Sequence, residues 1–206
     1  LKAQWTDELR NADKQSPYIP LMQDVPAVLM HGYWGRKNYL QTLDTIKLKE
    51  VQDYMLEYSQ TIQADVLVYG NFYEAEAEKL AKVVENTVSL STAKLSDVPA
   101  RVVALPAVAE PYLYIDALEH SDAAIIKYFQ APTDNVQQQV HMAMLAQVLG
   151  SPFFNALRTE QQLGYVVSGS YMPLARVPGL TLLVQSPSHS VGEINRRMDE
   201  FIRDYF

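Results

Sequence analysis

Residues Gly150–Tyr171 read GSPFFNALRTEQQLGYVVSGSY, and the change of pattern inside this stretch decides the fold. Ser151 can cap a helix. Pro152 suits a first helical position, where a missing N–H costs nothing. Gly164 suits the position past a helix end, where a left-handed residue closes the last turn. From Tyr165 the run becomes strand-like, through Val166, Val167, Ser168, Gly169, Ser170 and Tyr171. The spacing therefore predicts a helix that carries Arg158 and a strand that opens on Tyr165. Both side chains donate hydrogen bonds at neutral pH, and the guanidinium is permanently charged.

Working outward, Ala123–Gln130 reads as a strand entered by a turn at Glu119–Asp122. Arg101–Leu105 and Tyr112–Leu118 read as two more strands. Asp134 with Gln137 is expected to open a long helix with a core stripe of Val136, Val140, Met144 and Val148. A strand over Gly179–Gln185 follows. A last helix, capped by Ser190 and Glu193, repeats apolar residues at Ile194, Met198, Phe201, Ile202 and Tyr205. Strands on short turns with grouped helices define an α+β fold, two-layered, with a mainly antiparallel sheet packed against helices.

Toward the amino terminus, the first fourteen residues read as a polar helix, which the prolines of Gln15–Pro26 should break. Helical pattern returns from Asn38, with an apolar stripe at Leu48, Val51, Tyr54, Met55, Tyr58 and Ile62. Ala64–Tyr69 reads as a strand. Asn71 and Glu74 have capping-box form before a helix that bears Ala77, Leu80, Val83, Val84 and Val88 on one side. Ser89–Pro99 lacks a period, and the boundary between two units, 1–94 and 95–206, is placed there. The apolar pattern runs to the last residue without a stop signal, so a piece of a longer protein is expected.

Hydrophobic residues make up 48% of the 206, ample for a packed core. The net charge of −7, with both signs interleaved, argues against nucleic acid as a partner. No apolar run reaches the roughly 18–20 residues of a membrane span. The absence of cysteine excludes disulfides, thiolate metal sites and a cysteine nucleophile. It fits cytoplasm and periplasm alike. The periplasm is slightly favoured.

The run Phe154, Asn155, Leu157, Arg158, Thr159, Gln162, Leu163, Gly164, Tyr165 resembles the motif F-N-x-L-R-T-x-x-Q-L-G-Y of the insulinase/pitrilysin family of zinc peptidases, in its carboxy-terminal half. VLVYGNFYEAEAEKL (Val66–Leu80) and PGLTLLVQSP (Pro178–Pro187) are similar to further family segments. The resemblance implies that 1–94 ends a third family-type α+β domain and that 95–206 is most of a fourth. It also implies a Zn²⁺-dependent endopeptidase acting on peptides or small unfolded proteins enclosed between two halves. The metal would lie in the amino-terminal half, outside this chain.

The family's H-x-x-E-H places two imidazoles on one helix face. The histidines here, His31, His120, His141 and His189, include no pair four apart. The nearest imitation, Asp116-Ala-Leu-Glu119-His120, has aspartate in the first place. No metal ligand set is therefore expected in the chain, and by itself it should not hydrolyse peptides.

Carried over residue by residue, the resemblance implies that Tyr165 donates to the scissile carbonyl or its oxyanion, and that Arg158 binds a neighbouring substrate carbonyl. Phe154 would line a side-chain pocket. Asn155 would touch substrate main chain or bond within its helix. The bland alternatives are an Arg158–Glu160 pair, a core-facing Tyr165, and Phe153 and Phe154 both in the core. A non-catalytic relative that binds peptides, or serves as a structural partner, is the alternative for the whole.

Overall fold

The computed structural model describes residues 1–60, 62, 66–87, 101–107 and 113–205. Contacts divide the chain into two units, Leu1–Gln41 with Ala100–Phe206, and Thr42–Pro99. This division differs from 1–94 and 95–206, because the first forty residues pack with the carboxy-terminal sheet. The backbone N–H of Tyr18 donates to Gln185 Oε1 at 3.0 Å. Met30 forms an isolated bridge with Val102.

The larger unit is α+β. Its sheet has the order β1-β3-β2 and is antiparallel throughout, with β1 Ala123–Gln130, β2 Val166–Tyr171 and β3 Gly179–Ser186. Ile125 pairs with Val184, and Val167 faces Val184 from the other side. Every residue of the central strand β3 is buried. On one face Leu180, Leu182 and Val184 meet the helices α6 (Val136–Phe154) and α7 (Val191–Tyr205). The main core joins Leu182 and Val184 to Phe153, Leu157, Leu163, Val167, Ile194 and Met198. Full burial of each such aliphatic or aromatic side chain is worth about 1.5–3 kcal/mol. Gln185 points to the opposite face and meets α2 (Tyr18–Leu29) there. Lys127 of β1 pairs with Asp199 and ties α7 to the sheet. The Ser190 cap holds: its Oγ accepts from Glu193 N at 3.3 Å.

The helix expected to begin at Ser151 does not begin there. α6 runs through Pro152 without a break and passes into a π turn, Asn155–Glu160. Proline removes a hydrogen bond and crowds the preceding turn. Burial of Leu149, Phe153 and Leu157 on the sheet nevertheless holds the segment helical. One consequence is that residues 136–160 form a single helical segment long and apolar enough, by length and composition, to cross a membrane. Its face toward the sheet is packed as in a core helix.

The side chain that caps α6 is Asn135, accepting from Gln138 N at 2.8 Å, not Asp134. The stripe Val136, Val140, Met144 and Val148 faces away from the core. Ala146 and Leu149 are buried in its place, with Met142 and Leu145 packed beside them. Apolar spacing alone fixes the period, and here residues on more than one side of the helix are apolar.

Two expected strands are absent among the described residues. Arg101–Leu105 makes only the Val102 bridge and bonds to the Gln130 side chain, which accepts from Leu105 N and donates to Val103 O. Residues 113–118 are irregular. Asp116 turns to Arg36 and Lys37, and Tyr114 Oη donates to Asp24 at 3.4 Å. The prolines near the amino terminus do not end the helical region either. α1 (Lys2–Asn11) is followed by a 3-10 turn, Ala12–Lys14, and α2 contains Pro20 and Pro26. Pro20 lies in the first turn, where the backbone N–H groups lack helical acceptors anyway. α3 spans Arg36–Leu43.

In the second unit α4 covers Leu48–Gln60 and α5 covers Glu74–Thr87. The α4 stripe of Leu48, Val51, Tyr54, Met55 and Tyr58 is exposed. Residues 66–69 are not a strand. At the start of α5 the bond is from Tyr73 N to Glu76 Oε2, 2.9 Å, so Asn71 and Glu74 do not form the capping box. Ser89–Pro99, with Ala64, Asp65, Val88 and Tyr112, lies outside the described residues.

Candidate active site

The site is built where the π turn hands the chain to β2. Leu157 and Leu163 are fully buried, and Leu163 N donates to Leu157 O at 2.8 Å, closing the turn. The left-handed residue is Gln162, φ 50°, and not Gly164. Gly164 serves close approach instead. A Cβ there would stand 2.1 Å from Gln185 O and 2.9 Å from Gln185 C. Only glycine lets the chain lie against β3 at this point, and the next residue, Tyr165, donates its N–H to the same carbonyl at 3.2 Å. Tyr165 thus sits immediately before β2 rather than within it. Gln161 accepts from Arg197 Nη1 at 3.2 Å, which fastens the end of the turn to α7.

Tyr165 is 47% exposed, so it does not face the core. Its hydroxyl donates to Asp122 Oδ2 at 2.6 Å. Gln185 Nε2 donates to the same carboxylate oxygen at 2.9 Å and also lies against the phenol oxygen. The hydrogen bond to Asp122, then burial, push the phenol pKa up. The bonds from Tyr165 and then Gln185 draw the Asp122 carboxyl below its usual range. The tyrosine therefore stays protonated at neutral pH and can donate.

Arg158 lies in the π turn, half-buried, and forms no hydrogen bond or ion pair with a described residue, Glu160 included. No hydrogen bond joins it to Tyr165. Phe153 is fully buried and makes an edge-on contact with Phe201, ring centroids 5.2 Å apart. Phe154 is 43% exposed, and Asn155 is exposed beside it. The two phenylalanines thus divide between core and surface.

Beside Asp122 a cleft of about 110 Å³ is lined by Pro17, Asp24, Asp116, His120 and Val191, among others. Burial, and then Asp116, raise the pKa of Asp24. A larger hollow, about 290 Å³, lies between the π turn and α7 and touches neither Arg158 nor Tyr165, so size does not locate the chemistry here. Among the described residues no group of three His, Asp or Glu could hold a metal. Asp116 of the Asp116–His120 imitation is engaged by Arg36 and Lys37. His120 Nδ1 accepts from Asp122 N at 3.0 Å.

Sequence reading did not single out Asp122 or Gln185. Gln185 carries a usable signal: it is polar in the otherwise apolar run GLTLLVQS, and a fully buried polar side chain needs partners. Asp122 carries only its place one residue before β1.

Comparison with known proteins gives the class first. The family model for the PQQ synthase PqqF-like, C-terminal lobe domain 4, matches residues 144–206. The chain is a homologue of the insulinase/pitrilysin peptidases, as the motif around Arg158 and Tyr165 led one to expect. In particular it is 28% identical to protease 3 of Salmonella typhi, over 98% of the chain and 21% of that protein. It is 22% identical to insulin-degrading enzyme of Drosophila melanogaster, over the whole chain and 21% of that protein. The crystal structure of pitrilysin superposes with a TM-score of 0.75 at 23% identity, over 98% of the chain and 22% of that structure, which shows the fold. The chain spans about a fifth of the length of these relatives.

Proposed function

We propose that the chain is the carboxy-terminal portion of a zinc-dependent endopeptidase and supplies substrate-binding and oxyanion contacts. The observation that carries this reading is a half-exposed Tyr165, protonated at neutral pH, downstream of an Arg158 that no carboxylate of the chain engages. The chain's own residues do not fit a zinc site, so they are assigned no metal role. Tyr165 would donate to a peptide carbonyl oxygen as it gains negative charge. Arg158 would hold an adjacent carbonyl, with Phe154 against a substrate side chain and Asn155 near its main chain. Peptides and small unfolded proteins are the proposed substrates, and the amino-terminal half of the same protein is the proposed source of metal and base. In that reading 1–94 and 95–206 belong to successive family-type domains.

The test is Tyr165→Phe in the full-length protein. Loss of one oxyanion donor costs about 2.7–4 kcal/mol, or roughly 10²–10³ in kcat, with KM little changed. Unchanged turnover would overturn the assignment. An upstream sequence without H-x-x-E-H would favour the non-catalytic reading.

A further inference from the structure

We infer that Asp122 is the positioning residue for Tyr165, acting with Gln185 as a seat that fixes the phenol oxygen before substrate arrives. The inference rests on the oxyanion role proposed for Tyr165 and deepens it.

A donor aimed at a developing charge is effective only if it is already in place, because a misplacement of about 1 Å can cost a hundredfold in rate. Tyr165 has little apolar packing to supply that order, being half-exposed at a chain corner. Hydrogen bonds supply it instead. The main chain of Tyr165 is tied to the carbonyl of Gln185, and its hydroxyl meets the side chain of the same residue. Gln185 in turn is immobilised. It is fully buried, it stands in register with Ala124 and Val166 on either side, and its Oε1 accepts from Tyr18 N.

Asp122 completes the arrangement. One carboxylate oxygen accepts from both Tyr165 Oη and Gln185 Nε2. The Asp122 side chain is only 8% exposed. Its backbone N–H is held by His120, and the ladder of β1 starts at the next residue. The acceptor is therefore rigid while the donor is the exposed partner. A hydroxyl rotates to suit its acceptor. Turning the hydrogen from Asp122 toward a substrate oxygen moves no heavy atom, and Gln185 Nε2 continues to satisfy Asp122.

Asp122→Asn in the full-length protein keeps the shape and removes the charge. The expected result is a fall in kcat of about ten- to a hundredfold with KM within about twofold. In a Tyr165→Phe background the same substitution should change kcat by less than about twofold, since the seat then has nothing to hold. The Tyr165 phenol, isolated as the difference in tyrosinate absorbance between the parent protein and Tyr165→Phe, should titrate at lower pH once Asp122 is neutral. Equal losses in both backgrounds would mean a merely structural role and overturn the inference, as would an unmoved phenol titration. If Tyr165→Phe alone leaves turnover intact, the oxyanion role fails, and the titration still decides whether Asp122 holds the phenol.

Discussion

Replacing Gly164 by alanine tests whether the corner is built on close approach rather than on glycine's freedom to turn. The added methyl would lie 2.1 Å from Gln185 O, 2.9 Å from Gln185 C and 3.4 Å from Val184 Cγ1. Real Cβ contacts essentially never fall below 3.0 Å, so the two segments must part by about 0.9 Å. The obstacle is backbone in a central, fully buried strand, and no side-chain rotation relieves it. Parting stretches the Tyr165 N–H bond to Gln185 O beyond its present 3.2 Å and costs that bond. Overpacking at about 1–3 kcal/mol and a lost hydrogen bond at about 0.5–1.5 kcal/mol give a destabilisation of about 2–4 kcal/mol. With a urea slope of about 2 kcal/mol per molar, the midpoint should fall by about 1–2 M. Urea unfolding followed by far-ultraviolet circular dichroism reads the shift. Gly150→Ala is the internal comparison: its Cβ would meet Gly169 O at 3.3 Å, a contact that a few tenths of an ångström relieves. A Gly164→Ala midpoint no lower than that of Gly150→Ala would refute the reasoning.

The neighbouring phenylalanines should separate under mutation. Phe153→Ala empties a fully buried site and should cost about 3–5 kcal/mol in the same unfolding assay, whereas Phe154→Ala, at a half-exposed site, should cost under about 1 kcal/mol. The first turn of α7 should give the chain an acid-sensitive contribution. Bonds from Arg196 and then Arg197 take Glu193 from 4.5 to about 2. A depressed carboxyl stabilises the fold fully above its ordinary value and loses that contribution as pH falls through 4.5 toward 2. Glu193→Gln should flatten the pH dependence of the unfolding midpoint in that window, and the parent's slope there should weaken in high salt.

Much of the site was legible because its elements are set by local chemistry. β1 and β2 stand where alternating β-branched and aromatic residues put them, and Ser190 caps α7 through its own hydroxyl. What was not legible depended on tertiary contacts. Pro152 looks like a beginning in the sequence, but burial on both sides of it keeps α6 continuous. The Val136–Val148 stripe has the right period on the wrong face, since the sheet selects Ala146, Leu149 and Phe153. Gly164 was noticed for a reason other than the one that requires it. Arg158 and Tyr165 were found through a motif. The seat beneath Tyr165 joins residues 43 and 20 positions away, and no local pattern links them.

The π turn after Phe154 gives the segment an unusual sensitivity to length. Wider winding places Arg158 at an azimuth that an α-helix continuing from Val136 would not reach. Excising a single amino acid between Asn155 and Glu160 would let the coil tighten, and everything beyond it would swing by about 100° around the axis. The guanidinium would then point elsewhere although no atom of it had changed. Point substitutions in this stretch are survivable in a way that a one-codon deletion is not.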